Sequence, residues 1–322
     1  MEYTTTYLPE GQLLTTTRNR EYTATLQGLE KAMETGAIIE GTAVLCDSDL
    51  NLHIDFPSLP GVRGIIPRCE AVWSRDGEPP KEIAILTRVG MAVACKVTGI
   101  EYTEETGTTV YLSRRLAQAE CAANYLEGLE AGDIVRAKVT HLENFGAFVD
   151  LGCGVASLLS VDGISISRIS HPRERLYNGQ LIWCVVRSID RETGRIFVST
   201  RELLGTWEQN AARFTPGQTV AGIVRSVEEY GTFVEIAPNL AGLAETCPDL
   251  PPGQAVSVYI KNILPDKMKI KLVIVNHSLG QSHRFDLRYF ITEGHIDHWL
   301  YSTPESRKRI ETDFAGAACN PV

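Results

Sequence analysis

Apolar and polar residues alternate along most of this chain in short β-branched runs. Gly, Asn or Asp breaks the runs at roughly ten-residue intervals, a pattern that predicts strands and turns rather than amphipathic helices. The clearest stretch is GDIVRAKVTHLENFGAFVDLGCGVASLL, residues 132–159, which aligns without a gap with GQTVAGIVRSVEEYGTFVEIAPNLAGLA, residues 217–244. Both share the opening Gly, the Val that follows in the first turn of the pattern, and aromatic-Gly-x-Phe-Val-acidic at one offset. A fainter copy, GAIIEGTAVLCDSDLNLHIDFPSLPGVRGIIP at 36–67, needs a small insertion. Each copy runs on into a second pair of apolar segments, so each unit of about 70 residues reads as about five antiparallel strands. A sheet that small hides its edges best by closing, and the five-stranded OB-fold barrel is the natural candidate.

Between the barrels the period changes. LAQAECAANYLEGLEAG (116–132) is rich in helix formers and ends on Gly, and ELLGTWEQNAARFTPG (202–217) carries Trp207 and Phe214 before a Pro-Gly stop. Both predict short packed joints. TLQGLEKAMETG (25–36) predicts a leading helix closed by Gly36, and in the tail RFDLRYFI and IDHWLYS predict strands, with a helix starting at Thr303-Pro304-Glu305. The expected organisation is an extension at 1–35, barrels at 36–115, 132–201 and 217–275 joined by helical linkers at 116–131 and 202–216, and a small α+β extension at 276–322. The fold class is mainly β.

HLENFGAFVD (141–150) poses a local problem. Residues three apart on a plain strand face opposite sides, which would leave one of Phe145 and Phe148 in water; a bend at Gly146 would bring both rings to one face.

Composition narrows the class. At 322 residues and 43% apolar, the chain is long enough for two or three cored domains. It has no run of 18 apolar residues and no basic, apolar leader, so the expectation is a cytoplasmic protein without a membrane contact. The eight cysteines (46, 69, 95, 121, 153, 184, 247 and 319) show no CxxC and no close pair, and read as reduced, mostly buried thiols. A net charge of −9 looks wrong for a nucleic-acid binder, but residues 1–130 hold 19 of the acidic and 11 of the basic side chains, whereas 131–205 hold 9 basic against 8 acidic, eight of the nine being Arg. Arg both pairs with phosphate and stacks on bases.

Catalytic signatures are missing: there is no Gly-rich phosphate loop, GxSxG elbow or HExxH. The acidic pairs Glu104-Glu105 and Glu228-Glu229 read as solvated turns. His277, His283, His295 and His298 gather in the tail without a Cys pair or an acidic partner at ligand spacing. The expectation is a non-enzymatic protein with no metal, cofactor or small-molecule substrate.

The middle copy resembles the S1 RNA-binding domain family across the whole unit. The resemblance is carried by Gly132, FGAFVDL, GVASLL, SRISHP, NGQ, SIDRETGRIFVS and Arg201. In that family two aromatics, a His, an Asp and an Arg face RNA. The resemblance puts these roles on Phe145, Phe148, Asp190 and Arg195, with Ser160 in the His position and Ser157 where a Gly is usual. In the third copy the corresponding residues are Tyr230, Phe233 and Lys269, with Glu245 in the His position and Pro265, beside Asp266, in the Asp position. The first copy has Leu50, His53 and Thr109 there, which implies a structural or protein-binding barrel. GTWEQNAARFTPGQ is similar to the linker between consecutive units of multi-domain ribosomal S1 proteins, so residues 36–275 look like three tandem S1 units, as in short bacterial S1-like ribosomal proteins.

Aromatic faces for stacking and cations for phosphate suit a reader of single strands without strict sequence preference. The resemblance therefore implies a single-stranded RNA (mRNA) binder acting in translation, in contact with the small ribosomal subunit. A scaffold of degenerate barrels for protein contacts, or an accessory RNA-binding factor in RNA processing or transcription, are the alternatives. Arg173, Arg175 and Arg191 are expected on a solvated surface.

Overall fold

A computed structural model describes residues 7–103, 107–277 and 285–315. Cys319, His283 and the Glu104-Glu105 pair lie outside the described residues. The chain divides into two compact units. One comprises residues up to Leu129 with Asp150–Ala156 and Glu192–Gly194, and the other comprises the remainder.

The first unit opens with α1 (Thr17–Thr23) and α2 (Leu26–Thr35), each N-capped by a Thr side chain; α2 is closed by Gly36 at a φ of 64°, as the terminal Gly predicts. The polar α1 has no apolar stripe and escaped the sequence reading. What holds it is a reciprocal pair with the backbone: Asn19 Nδ2 donates to the Glu40 carbonyl (2.9 Å), and the Glu40 N–H donates to Asn19 Oδ1 (2.8 Å). Strands β1 (Ile39–Cys46), β2 (Leu52–Asp55), β3 (Val62–Ile66), β4 (Ala92–Thr103) and β5 (Gly107–Ser113) close in the order β1-β2-β3-β5-β4 around Ile39, Leu52, Ile54, Val93, Val110 and Leu112. The short α3 (Glu82–Leu86) precedes β4, and α4 (Arg114–Asn124) realises the predicted first joint. The Glu40 carboxylate is buried and accepts from the N–H groups of Gly11 (2.8 Å) and Leu14 (2.7 Å); burial pushes its pKa up to about 7.

The middle barrel is built from β6 (Ile134–Glu143), β7 (Gly146–Asp150), β8 (Ala156–Ser160), β9 (Leu181–Asp190) and β10 (Arg195–Ser199), closed as β10-β8-β7-β6-β9. A one-turn helix, α5 (Val161–Ile164), follows β8, and α6 (Trp207–Ala211) forms the second joint behind a Thr206–Gln209 capping box. The third barrel, β11 (Thr219–Glu228), β12 (Gly231–Ala237), β13 (Leu240–Ala244), β14 (Ala255–Leu264) and β15 (Lys269–Asn276), repeats the order as β11-β12-β13-β15-β14. Three closed five-stranded barrels are what the repeat predicted.

The tail departs from expectation. Its described part has no helix after Thr303; instead β16 (His298–Leu300) pairs antiparallel with β17 (Glu311–Asp313), and the RFDLRYFI run forms no strand in its described part. The Pro304 signal for a helix start loses to tertiary packing. Trp299, Tyr301 and Phe314 are buried in one core with Trp207, Val234 and Leu240, and the Tyr301 hydroxyl donates to the Asn239 carbonyl.

That core joins the second and third barrels within one unit. Asn239, in the left-handed region at φ 64°, accepts from the Ile166 N–H (2.7 Å) and the Ser165 hydroxyl (3.1 Å) and donates to the Arg201 carbonyl (2.8 Å). Arg175, expected at a solvated surface, is instead fully buried and paired with an equally buried Glu235, which also accepts from Arg225 Nε (2.8 Å); Arg225 in turn pairs with Glu174. Burying a guanidinium is tolerable only with a carboxylate against it, and sequence alone does not reveal a partner sixty residues away. Arg173 and Arg191 are exposed, as expected.

Of the described cysteines, 95, 121, 153 and 184 are buried, 46 and 247 half-buried and 69 exposed. Among the described residues no helix is long and apolar enough to cross a membrane.

Candidate nucleic-acid interface

Phe145 does not lie on a strand at all. Asn144 and Phe145 form the two-residue turn between β6 and β7, so the alternation that would have sent one ring to the far side does not apply. The Phe145 carbonyl accepts from the Val161 N–H (2.9 Å), which pins the turn against the end of β8. Phe145 is 55% exposed and Phe148 half-buried; their ring centroids are 6.0 Å apart at 89°, an edge-to-face pair. Gly146 serves close approach rather than a bend. A Cβ there would sit 2.4 Å from the Leu159 carbonyl oxygen and 3.0 Å from Ser160 Cα, so only glycine lets β8 come this near.

The third barrel repeats the device. Tyr230 is 71% exposed and Phe233 half-buried, with centroids 6.0 Å apart at 85°. A Cβ on Gly231 would lie 2.7 Å from the Ala244 carbonyl oxygen, the position equivalent to Leu159.

The remaining middle-barrel residues fall on the same outer face. Ser160, half-buried, ends β8 beside the Phe145 turn and hydrogen-bonds Asp162; with the Arg187 guanidinium at 3.0 Å, this holds the Asp162 carboxyl below its ordinary range although burial opposes it. Asp190 and Arg195 are direct cross-strand partners of β9 and β10, so their side chains leave the sheet on one side, with Arg195 exposed and Asp190 half-buried. Because β8 and β10 run parallel with Leu158 opposite Phe197, Arg195 lies toward the Ala156 end and Ser160 toward the Ser199 end. The structure thus spreads the five residues along one face, the rings and Ser160 at one end and the Arg195–Asp190 pair at the other. In the third barrel, Lys269 is exposed opposite Leu264, Glu245 is exposed after β13, and Pro265 and Asp266 form the turn between β14 and β15.

The first barrel has no ring pair at these positions. Leu50 sits at φ 64° in the β1–β2 turn and His53 bonds to Asp47 at 3.1 Å.

Of the described tail histidines, His295 and His298 pair with different acids. His295 Nδ1 bonds to Asp133 (2.7 Å), which raises its pKa, while His298 bonds to Glu311 (3.0 Å). Among the described residues no group of three or more His, Cys, Asp or Glu could hold a metal ion.

The family model described as S1 RNA binding domain matches residues 129–201, the middle barrel. The small ribosomal subunit protein bS1 of Staphylococcus haemolyticus is 34% identical over 191 residues, 54% of this chain and 48% of its own length. The bS1 protein of Rhizobium meliloti is 32% identical over 180 residues, 51% of this chain and 32% of its own. The chain spans about half the length, or less, of these curated relatives. Among solved structures, a multidomain protein with nucleic acid binding domains from Streptococcus pneumoniae is similar over 77% of this chain and 76% of its own, at 14% identity and a TM-score of 0.24.

Proposed function

With a middle barrel that belongs to the S1 RNA-binding domain family, we propose that this chain binds single-stranded RNA without catalysing a reaction, and that it acts on mRNA in the bacterial cytoplasm during translation, in association with the small ribosomal subunit. The observation that carries the RNA reading is the edge-to-face pair of the exposed Phe145 and the half-buried Phe148, repeated with the same spacing by Tyr230 and Phe233. Nothing in a barrel core calls for an aromatic at a turn tip in two copies, whereas a nucleic-acid base does. Arg195 and Lys269 supply phosphate pairing and Asp190 orients Arg195 or accepts from a base edge. The ribosomal part of the reading is supported by the bS1 relatives alone. We read the barrels as domains at 36–115, 132–201 and 217–275, the first contributing structure or protein contacts.

The second and third barrels share one core through Asn239 and the Arg175–Glu235 pair, which supports RNA engaging both with the gain in effective concentration that a fixed spacing brings. The test is fluorescence anisotropy of a labelled, unstructured RNA of about a dozen nucleotides, with the intact chain and its Phe145→Ala/Phe148→Ala variant across a salt series. Salt-sensitive binding by the intact chain, lost in the variant, is expected. A folded wild type that does not bind at low salt sinks the proposal.

A further inference from the structure

The outer face of the middle barrel carries a third ring. Along β10, Arg195, Ile196, Phe197 and Val198 are exposed, buried, half-buried and buried, so Ile196 and Val198 fill the barrel while Phe197 leaves the sheet on the side of Arg195. Phe197 lies in register with Leu158 of β8 on one side and Ser188 of β9 on the other.

The third barrel displays the corresponding row complete: Ser226, Phe233, Leu243, Lys271 and Asn262 are successive partners across β11, β12, β13, β15 and β14. The gapless repeat equates Phe148 with Phe233 and Leu158 with Leu243, and the approach of Gly146 to the Leu159 carbonyl repeats that of Gly231 to Ala244. The row in the middle barrel is therefore Phe148, Leu158, Phe197, Ser188. Phe197 stands two strands from Phe148, roughly 9–10 Å, and two residues from Arg195, roughly 7 Å, at ordinary sheet spacings. It bridges the gap between the ring pair and the Arg195–Asp190 pair, with Leu158 as an apolar floor.

We propose that Phe197 is a third base-stacking residue, receiving a nucleotide between those held by Phe148 and Arg195, so that the middle barrel binds RNA with its bases splayed across the face. The proposal rests on the RNA reading of this barrel. Ring positions roughly 9–10 Å apart cannot serve neighbouring bases still stacked at about 3.4 Å, but they suit unstacked single strands. The other barrels sharpen the assignment. The same position is Lys271 in the third barrel, and Tyr111 in the first, where the row is Leu45, His53, Ile65, Tyr111 and Gly99. One sheet position thus offers a ring to a base in the middle barrel and a cation to a phosphate in the third, and the two contacts respond differently to salt.

The experiment uses the full chain and an oligouridine of about a dozen nucleotides carrying a single 2-aminopurine, whose fluorescence reports stacking, with anisotropy read over a salt series. Phe197→Leu keeps apolar packing on Leu158 and removes the aromatic face, Phe197→Trp enlarges that face, and circular dichroism checks that each is folded. Phe197→Leu is expected to weaken binding roughly 5-fold or more at every salt concentration, to leave the salt slope unchanged and to reduce the 2-aminopurine quenching. Phe197→Trp should bind at least as tightly as wild type, and Lys271→Ala should make the log–log salt slope shallower by about 0.7. Folded Phe197→Leu with wild-type affinity and quenching overturns the proposal, and if Phe145→Ala/Phe148→Ala still abolishes binding, the RNA reading survives without it. A wild type that binds no RNA overturns both.

Discussion

Replacing Glu235 with Ala tests the account of how the second and third barrels are joined. The carboxylate takes hydrogen bonds from Arg175 Nη2 and from Arg225 Nε and Nη2, and the side chains of Glu235 and Arg175 are both at 0% exposure. Without it, the buried Arg175 loses the carboxylate it is hydrogen-bonded to, while Arg225 keeps Glu174. Breaking a buried pair from one side costs about 3–5 kcal/mol, a large share of the roughly 5–15 kcal/mol that stabilises an ordinary domain. Replacing both partners by apolar residues of similar volume, Arg175→Met with Glu235→Leu, removes the stranded charge and should recover most of that loss, about 2–4 kcal/mol relative to Glu235→Ala. Urea unfolding followed by tryptophan fluorescence is suited to the question, because Trp207 and Trp299 are buried in the core that holds Val234 and Leu240. With a slope near 3 kcal/mol/M, the midpoint for Glu235→Ala should fall by about 1–1.7 M. A shift worth less than about 1 kcal/mol, or a paired variant as unstable as the single one, would refute the assignment of this pair as the charged centre of the joint.

Three further outcomes are expected. Glu40 has a folded pKa raised from 4.5 to about 7, so its contribution to stability is full below the unfolded value and is lost as pH rises through about 7. The denaturation midpoint of wild type should therefore fall between pH 5 and pH 8 by an amount corresponding to at most about 3 kcal/mol, a slope that Glu40→Gln should flatten; parallel slopes would count against it. Gly146→Ala forces a Cβ to within 2.4 Å of the Leu159 carbonyl oxygen, so stability should drop by about 1–3 kcal/mol and RNA affinity should fall as the Phe145 turn shifts; calorimetry and anisotropy read the two effects. Tyr230→Ala/Phe233→Ala should weaken RNA binding less than Phe145→Ala/Phe148→Ala, because the third barrel has Glu245 where the middle one has Ser160, and Leu264 opposite Lys269 where the middle one has Asp190 opposite Arg195; equal losses in anisotropy would show that the two platforms contribute alike.

Sequence by itself determined the barrels and the pairing of their rings. Strand alternation is a local, period-two signal and the repeat supplies it three times, so the closed five-stranded units, the helix over Leu26–Thr35 with its Gly36 cap and the recurring Phe145/Phe148 and Tyr230/Phe233 motif were all legible. What escaped depends on residues distant in the chain. The helix Thr17–Thr23 exists because Asn19 meets the backbone of Glu40, and Arg175 is buried because Glu235 stands opposite it. The described part of the tail forms a small sheet rather than a helix because Trp299, Tyr301 and Phe314 have a core to enter. The two phenyl rings share a face for a reason the alternation rule could not give, since Phe145 is in a turn and Gly146 is there to admit a neighbouring strand. Phe197 could have been found by extending the inward pattern of Ile196 and Val198, but its place between Phe148 and Arg195 is a matter of register. Propensity and period act over a few residues; register, burial and charge pairing are settled only when the strands close.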